Sequence, residues 1–249
     1  MPDPIPVLAV IPARHASTRF PGKPLVPIAG IPMVVRVWRQ AAKARSVDAA
    51  LVATDDERIA AVCRDHGIDV EMTAATHATG TDRLGEVASR RPAGIYVNVQ
   101  GDEPLIDPDS IDKVVGALER VRGDGIEVST CYLADSTRAQ QRDPSVVHLV
   151  PSLDGCVMAF TRLAVPLEHA QAAPHPIHVG MFAFTAPALA RFRAWERGPV
   201  ERAESVELIR VLEHGERIAC IPVPPGSIGV DVPADVARVE AVLAAGGQG

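Results

Sequence analysis

The stretch VLAVIPARHASTRFPGKPLVPIAGIPMVVRVWRQAAKA, residues 7–44, decides the fold class. Its first five residues, 7–11, are all apolar and end at Pro12, which is typical of a central parallel strand buried on both faces. A loop follows. Residues 32–44 then open with a proline and space their apolar side chains as a helix does. A strand, a loop and a crossover helix in this order predict a βαβ unit.

The same alternation continues to residue 99. Further strands are expected at residues 49–53, 70–72 and 95–99, and further helices at residues 56–66 and 81–90. Strands and helices that alternate at this interval predict an α/β domain whose parallel sheet carries helices on both faces.

The pattern changes after Gln100. The expected elements are a helix at 109–121, strands at 128–133, 146–150, 156–160 and 177–185, a helix at 201–214, a strand at 218–223 and a helix at 233–245. The last helix begins at Asp231 or at Pro233. Because turns rather than long helices join the middle strands, this region favours a second, partly antiparallel layer.

The composition narrows the classes of function. A net charge of -6 and a pI near 5.7 provide no basic field for nucleic acid, so the expected partner is a small molecule. The four cysteines, Cys63, Cys131, Cys156 and Cys220, form no C-x-x-C pair, which argues against a zinc site or a disulfide framework and fits a reducing cytoplasm. The N-terminus lacks a signal-peptide pattern, and no apolar run approaches the ~18 residues that span a bilayer.

The loop after the first strand, residues 12–24, concentrates positive charge. In an open parallel sheet, ligands bind beyond the carboxyl ends of the strands, and this loop leaves such an end. Arg14, Arg19 and Lys23 can neutralise a polyphosphate. Ser17 and Thr18 can donate hydrogen bonds to its oxygens. The glycine spacing is neither that of a P-loop nor G-x-G-x-x-G. The alternative is a solvated basic loop without a ligand.

Two aspartates follow apolar stretches further along the chain. Asp102, in QGDEP at residues 100–104, is expected at the same sheet edge as the first loop. Triphosphate would repel this carboxylate unless a divalent metal is shared between them. Asp231 lies in GVDVP at residues 229–233, and either aspartate could instead cap the helix that follows it. Around Mg²⁺, the two carboxylates would form the clamp expected for in-line displacement at phosphorus.

Seven blocks, in order along essentially the whole chain, resemble the CMP-Kdo synthetase family, the 3-deoxy-manno-octulosonate cytidylyltransferases. The blocks are IPARHASTRFPGKPL, ATDDERIA, THATGTDRL, VNVQGDEPLI, HVGMFAF, ESVELIRVLEHGERI and GVDVPADV. The resemblance implies a Rossmann-like (GT-A-like) nucleotidyltransferase with a mixed, mainly parallel sheet. It implies one domain, residues 1–249, with a core of about 1–125 and 215–249. A smaller sugar-binding and dimerisation lobe would occupy about 126–214.

The resemblance also implies a reaction. A sugar hydroxyl would attack the α-phosphorus of CTP to give the CMP-sugar and pyrophosphate, with Mg²⁺ as cofactor, in a cytoplasmic homodimer that serves lipopolysaccharide biosynthesis. Negative charge builds on the phosphoryl oxygens in the transition state, so positioning and electrostatic stabilisation carry the catalysis. The catalytic residues expected on this basis are Lys23, Arg14, Asp102 and Asp231.

By the same resemblance, three groups of residues bind the ligands. The expected phosphate ligands are Arg14, Ser17, Arg19 and Lys23, and the expected cytosine and ribose pocket is Thr79, Gly80, Arg83 and Gln100. Asp102 and Asp231 would bind magnesium. The expected acceptor site is Arg162, His178, Glu204 and Glu207.

Within the acceptor site, Arg162 would pair with the sugar carboxylate, because a guanidinium meets a carboxylate through two parallel hydrogen bonds. His178 and Glu207 would hydrogen-bond sugar hydroxyls. The alternatives are a core histidine for His178 and a solvated helix face for Glu204 and Glu207.

The sequence departs from the family pattern in the acceptor half. Phe182 and Phe184 stand where tyrosines are usual, and Leu208 stands where a glutamine is usual. Residues 166–169 lack the usual aromatic and basic side chains, and the segment up to His178 is shorter and rich in proline. Losing hydrogen-bond partners changes specificity for a polyhydroxylated ligand. A second hypothesis therefore keeps the CTP chemistry with another acidic acceptor: a modified or smaller 2-keto acid, or a phosphonate.

A third hypothesis is a nucleotide-binding regulator that has lost catalysis. It predicts loss of a phosphate-binding or metal-binding residue. Lys23, Asp102 and Asp231 are all present, which argues against it.

Overall fold

A computed structural model describes residues 5–16, 20–163 and 175–246. Ser17, Thr18, Arg19 and residues 166–169, which the sequence singles out, lie outside the described residues. The chain divides into two compact units, Met1–Asp112 with Gly226–Gly249 (unit 1) and Lys113–Pro225 (unit 2). The sequence-based boundaries, near 125 and 214, enclose a shorter lobe than unit 2. None of the helices in the described ranges has the length and apolar character needed to cross a membrane.

The described elements alternate through the first half of the chain and then become mixed. The strands are β1 (Ile5–Ala13), β2 (Pro27–Ile28), β3 (Ile31–Pro32), β4 (Ala49–Thr54), β5 (Val70–Met72), β6 (Ala93–Val99), β7 (Val128–Leu133), β8 (His148–Pro151), β9 (Val157–Thr161), β10 (Ile177–Thr185) and β11 (Ala219–Val223). The α-helices are α1 (Met33–Ala41), α2 (Glu57–Asp65), α3 (Gly80–Ala88), α4 (Pro108–Val121), α5 (Arg138–Gln141), α6 (Ala186–Ala194), α7 (Pro199–Glu204), α8 (Ile209–Glu213) and α9 (Pro233–Ala245).

Unit 1 contains the parallel sheet that the opening stretch predicts. Its strands lie in the order β6-β1-β4-β5, and all three neighbouring pairs are parallel. Leu8 is almost completely buried, and Ala9, Val10 and Ile11 are fully buried, as expected for a strand covered on both faces. The prediction of an α/β fold with a mainly parallel sheet is confirmed.

Unit 2 has the mixed pairing expected of the later strands. In it, β7 pairs in parallel with β11 and antiparallel with β10, while β8 and β9 form an antiparallel pair. The register of β10 against β7 shifts between Val179 and Phe182, which is a β-bulge. Such a bulge re-aims the side chains on either side of it.

The single helix predicted at residues 201–214 is wrong. The structure has two short helices, α7 and α8, and Ser205 between them adopts a left-handed conformation with φ 53°. Its backbone N–H donates to the Glu201 carbonyl at 2.8 Å. A left-handed residue ends a helix because the chain can no longer continue the right-handed turn. The apolar periodicity of this segment continues across the break, so the sequence pattern did not reveal it.

Helix α6 was not predicted, although the sequence contains a signal for it. Thr185 caps the helix, since its hydroxyl accepts a hydrogen bond from the Ala188 backbone N–H at 3.3 Å. Pro187 lies in the first turn, where a proline removes no helical hydrogen bond. The helix follows β10 without a loop, so its capping residue, Thr185, was assigned to the predicted strand.

Unit 2 encloses a charged pair in its core. Arg210 and Glu201 are 2% and 0% exposed, and the two side chains form hydrogen bonds of 2.8 and 2.9 Å. The Arg210 guanidinium also lies 4.0 Å from the centre of the Phe192 ring. Arg197, at the surface, donates to the same Glu201 carboxylate at 3.0 Å. Two buried charges with matched hydrogen bonds hold α6, α7 and α8 of this unit together.

Candidate functional site

The first loop places one lysine close to the carboxyl end of β1. Gly22 has φ 71°, which favours glycine, and its backbone N–H donates to the His15 carbonyl at 3.0 Å. This turn starts a short 3-10 helix at Lys23–Leu25. Lys23 is thereby held at the base of the loop, with its side chain only 13% exposed.

Lys23 contacts both of the aspartates that were predicted from the sequence. Its Nζ lies 2.8 Å from Asp102 Oδ2 and 3.5 Å from Asp231 Oδ1. The three residues come from three segments that are far apart in the chain. Two carboxylates that converge on one ammonium group define a position for a cation within unit 1.

Backbone contacts hold the three segments together. A side chain at Gly101 would place its Cβ 2.8 Å from the Pro12 carbonyl oxygen, so the loop after β6 passes too close to the end of β1 for any residue but glycine. The Val230 backbone N–H donates to the Asp102 carbonyl at 2.9 Å. Val230 itself is buried in an apolar cluster with Ile28, Met33 and Val239. The position of the carboxylates is therefore set by rigid neighbours.

Neither aspartate caps a helix, so that alternative is wrong for both. Asp107 caps α4, since its Oδ1 accepts from the Asp109 backbone N–H at 3.1 Å. Asp235 caps α9, since its Oδ2 accepts from the backbone N–H groups of Asp231 and Val232 at 3.0 and 3.1 Å. The Asp102 and Asp231 carboxylates both face Lys23.

Glu103 adds a third acidic group that the sequence analysis did not select. Burial, reinforced by the negative charges of Asp102 and Asp231, raises the pKa of Glu103 to about 7. The Ser227 hydroxyl donates to this carboxyl group. The sequence signal for Glu103 is its position directly after Asp102. It was not selected because a glutamate beside a predicted metal ligand forms no motif of its own.

The residues expected around the nucleotide base occupy two structural roles in unit 1. Thr79 caps α3 through a reciprocal pair of hydrogen bonds with Asp82, and Gly80 is the first residue of that helix. Gln100 follows β6 directly and is partly buried. Thr79 and Gly80 thus lie at the amino end of α3, and Gln100 lies at the carboxyl end of β6.

Arg83 and Arg14 differ in their surroundings. Arg83 is 4% exposed and donates to Asp55 Oδ1 at 2.9 Å and to the Thr73 hydroxyl. Burial lowers the pKa of Arg83, Asp55 opposes that shift, and the charge of exposed Arg14 adds to it. Arg83 is thus held inside unit 1 by its partners, whereas Arg14 is exposed. Asp55 and Thr73, which the sequence analysis missed, keep the buried guanidinium paired.

In unit 2, the contacts of Arg162 differ from the expected carboxylate partner. Its guanidinium donates to four backbone carbonyls: Nε to Glu204 at 2.7 Å, Nη1 to Pro144 and Ser145 at 3.0 and 2.9 Å, and Nη2 to Ser205 at 3.4 Å. Four of its five N–H groups are used, which leaves too few for a two-point carboxylate contact. We therefore interpret Arg162 as a clamp on the chain around α7.

Glu204 and Glu207 are both partly buried. Glu204 is engaged with the same clamp, because its Oε2 accepts from the Arg162 backbone N–H at 2.9 Å. Glu207 lies after the break at Ser205, so a continuous solvated helix face, the alternative for these two glutamates, is wrong.

His178 lies on β10 among aromatic neighbours. Its Nε2 is 2.8 Å from the Thr130 hydroxyl oxygen, its ring meets Phe160 edge-on at 5.0 Å, and it stacks on Phe182 at 6.4 Å. Burial lowers the pKa of His178 to about 4, so the ring is neutral at physiological pH. A fixed, neutral imidazole can accept or donate one hydrogen bond with its remaining nitrogen.

The three side chains that depart from the family pattern lie in the core of unit 2. Phe182, Phe184 and Leu208 are fully buried. Phe184 packs edge-on against Phe182 and Phe192, with ring centres 6.0 and 5.5 Å apart. A hydroxyl or amide at these positions would need a buried partner, so the apolar side chains suit the packing.

Similarity to known proteins extends over nearly the whole chain. The cytidylyltransferase family profile matches residues 8–218. A 3-deoxy-manno-octulosonate cytidylyltransferase of Syntrophotalea carbinolica is 41% identical over 247 residues, which covers 95% of this chain and 98% of the relative. One of Myxococcus xanthus is 42% identical over 245 residues, covering 96% and 97%. The structure of a CMP:2-keto-3-deoxy-manno-octonic acid synthetase complexed with CTP superposes with TM-score 0.89 at 34% identity, covering 97% of this chain and 99% of that one.

Proposed function

The chain belongs to the 3-deoxy-manno-octulosonate cytidylyltransferase family, and from this premise we propose that it transfers CMP from CTP to 3-deoxy-manno-octulosonate, releasing pyrophosphate. The observation that carries the proposal is the convergence of Lys23 with Asp102 and Asp231 within unit 1. A regulator without catalysis would have no need to keep this charged cluster, so we set that hypothesis aside.

We propose Mg²⁺ as the cofactor, held by Asp102 and Asp231. Their carboxylates already share one cation, the Lys23 ammonium. Among the described residues no group of three or more His, Cys, Asp or Glu side chains could hold a metal. Two carboxylates fit Mg²⁺, which is commonly bound by one or two carboxylates together with substrate phosphates and water. When bound, the ion would neutralise phosphate charge and polarise the phosphoryl group under attack.

The residues of unit 1 then have separable tasks. Asp102 and Asp231 compensate positive charge at the base of the site, and exposed Arg14 offers a guanidinium to phosphate oxygens. When Mg²⁺ takes its place between the carboxylates, Lys23 would bind the triphosphate instead. Positive charge held beside the phosphates stabilises the charge that builds on the phosphoryl oxygens.

Replacement of Lys23 by methionine tests this exchange. We expect Lys23→Met to bind Mn²⁺, used in place of Mg²⁺ and without nucleotide, about tenfold more tightly than the wild type, because the competing ammonium group is gone. Electron paramagnetic resonance of the free Mn²⁺ measures this affinity. Turnover with CTP should fall in the same variant.

Lys43→Met is the matched control, since Lys43 is exposed and takes no part in the cluster. It should leave both Mn²⁺ affinity and turnover unchanged. Unchanged or weaker Mn²⁺ binding by Lys23→Met would show that Lys23 and the metal do not compete for the two carboxylates.

The structure removes one reason to expect a different acceptor. Phe182, Phe184 and Leu208 are buried in unit 2. Hydroxyl or amide groups at these positions would therefore not lie on a surface accessible to a ligand. Kdo is therefore the acceptor we propose. A modified 2-keto acid or a phosphonate is the second candidate, supported by the different sequence at residues 166–169, which lie outside the described residues.

Pyrophosphate release tests the proposed reaction directly. The purified protein is assayed with CTP, ATP, GTP and UTP, each combined with Kdo, smaller 2-keto acids and phosphonates. We expect the highest kcat/KM for CTP with Kdo, and loss of turnover when Mg²⁺ is chelated. Turnover that is higher with a phosphonate than with Kdo would transfer the proposal to the second candidate.

We also propose that the enzyme is a homodimer. Leu153, Met158 and Leu163 are large, exposed apolar side chains within one short stretch of unit 2, and apolar groups exposed together favour an interface between proteins. Sedimentation equilibrium decides the state, because the chain mass is 26.4 kDa. A single species of that mass at assay concentrations would contradict the dimer.

A cytoplasmic location is part of the same proposal. The four cysteines are all buried, and within the described residues none forms a disulfide. Buried thiols that remain reduced fit a reducing compartment.

A further inference from the structure

Thr130 makes two contacts with its one hydroxyl group. The Thr130 Oγ1 lies 2.8 Å from the Met181 carbonyl oxygen and 2.8 Å from His178 Nε2. A threonine hydroxyl has one hydrogen to donate, although its oxygen can accept further hydrogen bonds. A carbonyl oxygen can only accept, so the Thr130 hydrogen points to Met181.

The bulge in β10 explains why Met181 needs this donor. Val179 pairs with Cys131 and Phe182 pairs with Thr130, so residues 180 and 181 have no opposite residue on β7. Met181 is fully buried, and a buried carbonyl without a donor costs free energy. The hydroxyl of Thr130, itself fully buried, supplies a donor to this carbonyl at the bulge.

The tautomer of His178 follows from this arrangement. Because the Thr130 oxygen has given its hydrogen to Met181, it can only accept from His178, and Nε2 must carry the imidazole hydrogen. In a neutral ring the other nitrogen, Nδ1, then has a free lone pair. Phe160 and Phe182 pack against the ring and restrict its rotation. Within the described residues, Nδ1 makes no hydrogen bond with the protein.

We propose that Thr130 is a positioning residue that holds His178 as the Nε2–H tautomer, so that Nδ1 recognises a hydroxyl group of the acceptor. This inference rests on the proposed function and adds the tautomer of His178 and the residue that fixes it. An Nδ1 lone pair accepts a hydrogen bond from a hydroxyl, whereas it repels a carboxylate or phosphonate oxygen. The acceptor carboxylate must therefore bind elsewhere.

The tautomer can be observed without substrate. Nitrogen-15 NMR of the histidine rings distinguishes a protonated from an unprotonated nitrogen, and the signal of His178 is assigned by its loss in His178→Gln. We expect wild-type His178 to be protonated at Nε2 alone. In Thr130→Val, which removes the hydroxyl with little change of shape, we expect both tautomers. Thr130→Ser, which retains the hydroxyl, should restore the wild-type spectrum.

Steady-state kinetics supply the second readout. Thr130→Val should raise KM for the acceptor roughly five- to tenfold through the loss of one oriented hydrogen bond, while KM for CTP stays within about twofold of wild type. Thr130→Ser should restore the acceptor KM. An equal change in both KM values would indicate a merely structural role and would overturn the proposal.

The wild-type spectrum decides the matter even if Thr130→Val does not fold. An active wild-type enzyme whose His178 is protonated at Nδ1 overturns this inference alone. Absence of CTP-dependent turnover with every acceptor overturns the proposed function instead, whatever the tautomer.

Discussion

Asp102→Asn should lower kcat of CMP transfer by at least about 1000-fold while the protein remains folded. The substitution keeps the size of the side chain and removes the negative charge that pairs with Lys23 at 2.8 Å. Without that charge, a divalent ion loses one of its two proposed protein ligands, and charge stabilisation at the phosphoryl group is lost with it. Pyrophosphate release measures kcat, and thermal denaturation measures the fold.

Asp109→Asn is the matched control. Asp109 is mostly exposed near the start of α4, where it forms a surface ion pair with Arg45 at 3.3 Å. A surface pair of this kind contributes little, so turnover and stability should both stay at the wild-type level. If Asp102→Asn were as active as this control, Asp102 could not be a ligand of the catalytic metal.

Glu201→Gln should lower the free energy of unfolding by ~3–5 kcal/mol. This is the largest effect on stability that we expect from a single substitution that removes a charge. Arg210 would remain buried, with its charge no longer balanced by its partner carboxylate. We expect the urea midpoint to fall by roughly 1–2 M, measured by circular dichroism. The effect arises from an uncompensated charge, because the glutamine fills nearly the same volume.

Two further variants separate charge from shape. Glu201→Gln combined with Arg210→Met removes both charges, and we expect it to recover most of the lost stability. Glu57→Gln removes one partner of the exposed Arg64–Glu57 pair and should change stability by less than about 0.5 kcal/mol. A loss of under about 1 kcal/mol in Glu201→Gln alone would show that the Arg210 charge is balanced by other groups.

The residues of the Lys23–Asp102–Asp231 cluster could be predicted from the sequence, but their arrangement in space could not. Lys23, Asp102 and Asp231 each stand beside an apolar stretch in a short, readable motif, and the resemblance to a family assigned them a common role. The contacts between them span 79 and 208 positions of sequence. Their convergence depends on the neighbouring ends of β1 and β6 and on the hydrogen bond from Val230 to Asp102.

In the expected acceptor site, the sequence did not predict what each side chain contacts. Arg162 has the chemistry of a carboxylate partner, yet backbone carbonyls take four of its five N–H groups. Two of those carbonyls, of Glu204 and Ser205, are available because Ser205 breaks the helix that periodicity predicts, and the other two belong to a distant segment, Pro144 and Ser145. Whether an arginine serves a ligand or the protein depends on which acceptors surround it, and no local pattern contains that information.

By itself, the sequence determined the α/β class and the buried central strand, because apolar periodicity and turn chemistry act over a few neighbouring residues. Its resemblance to a known family singled out Lys23, Asp102 and Asp231. The tertiary structure alone decided that Lys23 lies between two carboxylates, that Phe182 and Phe184 are buried, and that His178 offers a lone pair at Nδ1. These properties arise from contacts between distant segments. The physical reason is that charge pairing, burial and hydrogen-bond direction depend on neighbours in space.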